Sequence, residues 1–284
     1  HMLQLLCLVG MEPPISLGAE EIRNKKTDFL NAIRPFPPDG VHLHAVRGQY
    51  AGGWVQGRCE PGYRQERGIA PDSATETFAA LKLQVDNWRW QGVPFYLRTG
   101  KRLPYRVSEV SVRFKSVAHH TFPAHMSLGR HPARLVLRIQ PDEAIVLRFQ
   151  AKQPGPEMRL QPVEMRFDYA RAFKAPVPEA YETLLYDVLV NDQTLFMRAD
   201  QVEAAWRVVQ PVLDFWADNP PDDFPNYAAG TWGPEAAEAL ISADGRYWLQ
   251  PSRDAGAAPD ACTLPPPTDG ADPSPPRLEV ALQP

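Results

Sequence analysis

The sequence predicts an α+β domain, a large and mostly antiparallel sheet with helices packed on one face. Three observations carry this. Helical periodicity fills the first 34 residues, strict apolar/polar alternation recurs between 108 and 169, and helical periodicity returns after Pro178. Helix, then sheet, then helix is the order of such a domain, because each amphipathic element must bury its apolar side against another layer.

Each element follows in order. Residues 2 to 11 are apolar on most sides and stop at Pro13-Pro14, which reads as a buried helix. Residues 19 to 34 place Ile22, Phe29, Leu30 and Ile33 at helical spacing and end at Pro35. A strand is expected to start in Val41 to Tyr50, followed by a polar, Gly-rich loop from Ala51 to about Ser73. Thr77 to Val85 fits helix or strand by pattern. Asp86 to Gln91 connects it to a short apolar run. Alternation is then plain in Ser108 to Lys115, in Leu135/Leu137/Ile139 and in Ile145/Leu147/Phe149. It continues in a longer strand from Met158 to Tyr169, whose register is expected to shift at Pro162 as at a bulge. Pro141 to Ala144 reads as a hairpin turn. Helices are predicted over Glu179 to Val190 (Tyr181, Leu184, Leu185 and Val188 on one face), over Ala199 to Trp216 (Val202, Trp206, Val209, Val212 and Leu213 as core) and over Glu235 to Ser242.

The organisation expected is residues 1–40 as N-terminal helices packing on the main domain, 41–248 as the α+β domain, and 249–284 as a disordered tail. The last segment is dominated by Pro, Ala, Gly and Asp, too little apolar surface to offset ordering entropy. Over the 284 residues the formal net charge is −4, which gives no field to attract nucleic acid or an anionic membrane. The apolar run from Leu3 to Met11 is too short to span a bilayer. Three cysteines, scattered and odd in number, argue against a disulfide framework and for a reducing compartment, so the cytoplasm is the expected location. They lack the paired spacing of zinc ligands, and no metal site is expected; His119, His120, His125 and His131 form a loose cluster with no fixed ligand geometry.

The chemistry is expected around Gly92-Val93-Pro94-Phe95-Tyr96-Leu97-Arg98-Thr99-Gly100-Lys101-Arg102-Leu103-Pro104-Tyr105-Arg106. This reads as a strand turning at Thr99-Gly100 into a cationic hairpin tip that carries Lys101, Arg102 and Arg106. Cations at the end of a rigid strand can hold an anionic or hydroxyl-rich ligand. No P-loop surrounds Gly100-Lys101, and Gly48 to Gly53 is no dinucleotide fingerprint. Trp88 and Trp90, flanking Arg89, are read as core or sheet contacts.

This stretch, with Thr75-Glu76-Thr77-Phe78-Ala79-Ala80-Leu81, Asp86-Asn87-Trp88-Arg89-Trp90, Arg47-Gly48-Gln49-Tyr50, Gly62-Tyr63-Arg64, Arg138-Ile139-Gln140-Pro141-Asp142-Glu143 and Trp232-Gly233-Pro234, resembles glucose-6-phosphate dehydrogenase. The resemblance runs from His1 to about Trp248 and covers only the C-terminal, substrate and dimerisation part of that family, without its coenzyme-binding domain. It makes Thr77 to Val85 a strand. It implies oxidation of glucose 6-phosphate to a phosphogluconolactone in the oxidative pentose phosphate pathway, with NADP bound mainly by the absent domain, and a homodimer through the sheet face. It implies that Lys101, Arg106 and Gln140 contact substrate, and gives Arg102 only a solvated role. His1, in register within His1-Met2-Leu3-Gln4-Leu5-Leu6, becomes the proton acceptor, a task suited to an imidazole. A His-Met pair also begins many expression leaders, and the sequence keeps both origins open. The chain alone is expected not to turn over. The alternative is a non-catalytic oligomerisation or sugar-phosphate-binding module built on the same sheet.

Overall fold

The computed structural model describes residues 1–116, 132–174 and 180–251. The histidine cluster and nearly all of the expected tail lie outside the described residues.

Two helices open the chain, α1 (Met2–Gly10) and α2 (Ala19–Asn31). Glu20 and Glu21 sit in the first turn of α2, where carboxylates oppose the positive end of the helix dipole. The inward face of α2 is Arg23, Lys26, Phe29 and Leu30, one stripe at 3–4 residue spacing. The strand expected from Val41 begins later. Pro38–Leu43 forms a 3-10 turn, with β1 (Ala45–Gly48) and β2 (Tyr50–Ala51) after it. The Gly-rich loop contains a small hairpin, β3 (Gly53–Val55) with β4 (Arg58–Glu60). Gln56 and Gly57 both take positive φ between them, as a two-residue hairpin turn requires.

β5 (Phe78–Leu83) pairs antiparallel with β1 on one side and with β6 (Phe95–Gly100) on the other. The ambiguous segment is therefore a strand, and a central one. Its side chains alternate between two cores. Leu81 and Leu83 join Leu6, Cys7, Phe29, Leu30, Val208 and Val212 on the face covered by α1, α2 and α5 (Ala199–Asp218). Phe78 and Ala80 join Tyr50, Tyr227, Ala237 and Leu240 on the reverse, where β11 (Tyr227–Ala228) and α6 (Glu235–Ser242) lie. Each large side chain removed from water here contributes roughly 1.5–3 kcal/mol.

The second sheet has the order β10-β9-β8-β7, all antiparallel, from β7 (Ser108–Arg113), β8 (Arg134–Gln140), β9 (Ala144–Lys152) and β10 (Leu160–Asp168). No bulge occurs at Pro162, which stays in register opposite Gln150. β10 is an edge strand, so a residue without an N–H costs nothing on its open side. The register shift falls instead between Ser108 and Glu109 in β7. The α3 helix (Tyr169–Phe173) closes β10, and α4 (Ala180–Leu189) precedes α5.

α5 is rotated by one position from expectation. Its buried residues are Gln201, Ala204, Val208, Val212 and Trp216, while Trp206 and Leu213 are exposed. Its apolar band is wide enough that periodicity alone leaves the rotation open; Gln201 turns inward because it finds a partner there. On the four-stranded sheet, Ile139, Ile145, Val163, Met165 and Phe167 share the apolar side and remain exposed. The arginine-bearing side is the one partly covered. Leu249 packs on Val136, Ala144 and Val146, so described, packed structure extends past the boundary expected at 248.

Candidate substrate site

β6 runs straight through Thr99 and Gly100. Gly100 has an extended rather than left-handed backbone; a Cβ there would stand 2.7 Å from Phe78 Cδ2, so glycine is needed for close approach to β5. The left-handed residue is Arg102, at φ 52°. The segment after it is not a hairpin tip either. β6 pairs with β5 and β7 with β8, so residues 101–107 cross from one sheet to the other.

Lys101 is the first residue past the ladder. Its N–H donates to Thr77 O (2.8 Å) and its carbonyl accepts from the Tyr227 hydroxyl (2.9 Å). Its side chain is exposed and forms no hydrogen bond or ion pair among the described residues; the same is true of Arg106. Arg102 behaves differently. It pairs with Glu60 (3.0 Å) and Glu66 (3.1 Å), which ties the crossing segment to β4 and the adjoining turn. Hydrogen bonds from Tyr50 (2.6 Å) and Arg102 hold the Glu66 carboxyl below its ordinary range. Arg102 is thus anchored rather than merely solvated, and it leaves Lys101 and Arg106 as the two free cations of the loop among the described residues.

Gln140 ends β8 opposite Ser108 and donates from Nε2 to Ser108 Oγ (2.6 Å). That bond fixes the amide at the start of β7, a few residues beyond Arg106. Its Oε1 makes no hydrogen bond among the described residues and, as an amide oxygen, can only accept. His1 caps α1 with no side-chain bond and is exposed. At the other end of α1, Trp90 donates from Nε1 to Gly10 O (2.8 Å) and packs edge-on against Phe95 at the start of β6 (5.1 Å). The C-terminus of α1 is therefore pinned to the start of β6, and the opposite ends of these two elements carry His1 and Lys101. Trp90 is the packing residue expected; Trp88 is not, being fully exposed, because Asn87 and Trp90 bond within the turn and direct the intervening side chain outward.

Sequence reasoning missed the supports of the loop. Trp232 stacks edge-on with Tyr105 (5.3 Å), and Arg98 lies between the rings of Trp232 (5.1 Å) and Trp248 (4.6 Å). Gly233 beside it has φ 110°, and a Cβ there would meet Phe78 Cε2 at 2.3 Å. The Trp-Gly-Pro signal thus marks a packing constraint on the loop from across the sheet. On the arginine-bearing side of the four-stranded sheet, Glu109, Arg138, Arg148, Glu164 and Arg166 line a cavity of about 350 Å³ with Leu249, Gln250 and Pro251. Burial raises the Glu109 carboxyl above its ordinary range.

Among the described residues neither a metal centre nor a βαβ dinucleotide cradle is assembled. Among the described residues no three His, Cys, Asp or Glu side chains converge. The only parallel pairing among them, β11 with β2, joins two residues from each strand, so the described residues contain no βαβ dinucleotide cradle. No helix among the described residues is long and apolar enough to cross a membrane.

The described fold is an antiparallel α+β domain whose segment between two sheets carries two cations without partners among the described residues. Residues 1–249 match the family described as glucose-6-phosphate dehydrogenase, C-terminal domain, and the chain belongs to that family. It is 45% identical over 252 residues to glucose-6-phosphate 1-dehydrogenase of Aggregatibacter actinomycetemcomitans, covering 89% of this chain and 50% of that one. It is 48% identical over 250 residues to the enzyme of that name from Mycolicibacterium smegmatis, covering 87% and 50%. A crystal structure of glucose-6-phosphate 1-dehydrogenase from Mycobacterium avium superposes with a TM-score of 0.70 at 38% identity, over 90% of this chain and 50% of that one. A glucose-6-phosphate dehydrogenase in complex with its substrate glucose-6-phosphate gives 0.75 at 33% identity, over 88% and 50%. The chain spans about half the length of the curated relatives it matches.

Proposed function

We propose that this chain supplies the sugar-phosphate-contacting half of an NADP-dependent glucose-6-phosphate dehydrogenase, in the oxidative pentose phosphate pathway of the cytoplasm. The overall reaction is oxidation of glucose 6-phosphate at C1 to 6-phosphoglucono-lactone, with NADP as acceptor. The observation that carries this reading is the family match over residues 1–249, which includes the loop where Lys101 and Arg106 stand without partners among the described residues.

Lys101 donates to sugar hydroxyls from a compact charge. Arg106 adds a second cation for the phosphorylated substrate, and Gln140 offers Oε1 as an acceptor. His1 takes the proton of the C1 hydroxyl as C1 becomes a carbonyl carbon. NADP binding is assigned to the part of the relatives that this chain does not match. A homodimer belongs to the same reading, and the exposed apolar side of the four-stranded sheet supports it. Such a face, with Met165 and Phe167 exposed on its edge strand β10, suits a self-complementary interface better than the half-covered arginine side does.

The test is titration of the chain with glucose 6-phosphate, followed by NMR. Lys101→Ala is expected to weaken binding about tenfold or more, since a charge-assisted hydrogen bond is worth about 1.5–3 kcal/mol. Binding unaffected by the substitution rejects the site. The chain by itself is expected not to reduce NADP, and measurable reduction rejects that part of the reading.

A further inference from the structure

The geometry points to Tyr227 as the positioning residue for Lys101: its buried hydroxyl holds the peptide that presents the ammonium to substrate. This rests on the sugar-phosphate reading above for its purpose, though not for its geometry.

Lys101 stands where the β5–β6 ladder ends; the last paired residues are Phe78 and Gly100. Its carbonyl has no strand to accept from, and the next residue, Arg102, turns left-handed. The tyrosine hydroxyl takes the place of the missing strand. Tyr50 N–H donates to Thr77 Oγ1 (3.1 Å), Thr77 Oγ1 and the Tyr227 hydroxyl share a hydrogen bond (3.0 Å), and the Tyr227 hydroxyl donates to Lys101 O (2.9 Å). Thr77 O meanwhile accepts from Lys101 N–H (2.8 Å). Lys101 is thus gripped at both backbone polar groups, by one residue of β5's approach and one of β11.

The grip is stiff. The Tyr227 ring is buried and wedged against Phe78 (5.6 Å) and Tyr50 (6.3 Å), so its hydroxyl cannot follow a displaced carbonyl. Burial pushes the phenol up to about 12, and it keeps its proton throughout the neutral range. On the far side, Gly230 N–H donates to Arg102 O (2.7 Å) and two carboxylates hold the Arg102 guanidinium. The free ammonium therefore extends from a backbone that is fixed before and after it, the arrangement that lowers the ordering cost of binding.

The experiment uses the full chain with Tyr227→Phe, which keeps the ring and removes one hydroxyl. Amide exchange at Lys101 is expected to quicken about tenfold while Ala80, inside β5, stays within about twofold. The dissociation constant for glucose 6-phosphate is expected to rise about fivefold, the equivalent of one lost hydrogen bond. Thr77→Ser retains the hydroxyl and is expected to match wild type in both readouts. Thr77→Val removes it and is expected to move both in the same direction as Tyr227→Phe; it serves as the second probe should Tyr227→Phe not fold. Unchanged exchange at Lys101 overturns the clamp. Faster exchange with an unchanged dissociation constant overturns the positioning role. Faster exchange in a chain whose wild type does not bind glucose 6-phosphate overturns the sugar-phosphate reading and the assigned purpose with it, and is told apart from failure of the clamp by the exchange data alone.

Discussion

Gln201 and Gln4 form an amide pair in the interior, Nε2 of Gln201 donating to Oε1 of Gln4 at 2.8 Å. Gln201 is fully buried in the first turn of α5, and Gln4 lies in the turn of α1 that follows His1. The Gln201 Nε2 is bonded while its Oε1 is buried without a partner among the described residues, and the one bond links the two helices at this turn. Gln201→Ala removes the side chain and strands Gln4, and is expected to cost roughly 2–3 kcal/mol in chemical denaturation. A double-mutant cycle with Gln4→Ala should return a coupling of about 0.5–1.5 kcal/mol. Strictly additive losses would mean that the pair does not link the helices.

Arg102 combines two effects that substitution can separate. Its side chain bonds two carboxylates, and its backbone sits at φ 52°. The ion pairs are partly exposed, so their loss should cost only about 1 kcal/mol. Arg102→Ala incurs that loss and keeps the strained backbone. Arg102→Gly incurs the same loss but relieves the strain, and should be about 1 kcal/mol more stable than Arg102→Ala. Equal denaturation midpoints for the two variants would remove backbone strain from the account.

Asp244 should contribute to acid stability. Lys82 at 2.7 Å and the Tyr96 hydroxyl hold its carboxyl below the ordinary value of 3.8. As pH falls through that value the unfolded chain takes up a proton that the folded chain still refuses, so the unfolded state binds more protons and stability declines. The contribution is complete above the ordinary value and is lost once pH drops through the depressed one. Asp244→Asn should therefore lower stability at neutral pH and show a shallower decline below about pH 4. Parallel pH profiles for the two proteins would contradict this.

How much of this was legible beforehand differs from element to element. Alternation in Leu135/Leu137/Ile139 and Ile145/Leu147/Phe149 gave β8 and β9 directly, because a two-residue period admits only one sheet-facing side. Thr77 to Val85 was ambiguous by pattern because β5 is buried on both faces, which erases alternation. The bulge expected at Pro162 failed because sequence does not show which strand is the edge. Trp206 and Leu213 were placed inward because a broad apolar band fits more than one rotation. For the site, composition and order marked the Lys101 to Arg106 stretch. They could not show that Arg102 is taken by Glu60 and Glu66, or that Tyr227, 126 residues further on, would close on Lys101.

The sequence by itself determined the α+β class, most element positions and the family, since these rest on local periodicity and on ordered runs of residues along one chain. Tertiary structure alone decided which of three neighbouring cations are free, which strand lies at the edge and which hydroxyl fixes the lysine. Those depend on distances between residues far apart in the chain, and burial and hydrogen-bond partnership become defined only once the chain has closed on itself.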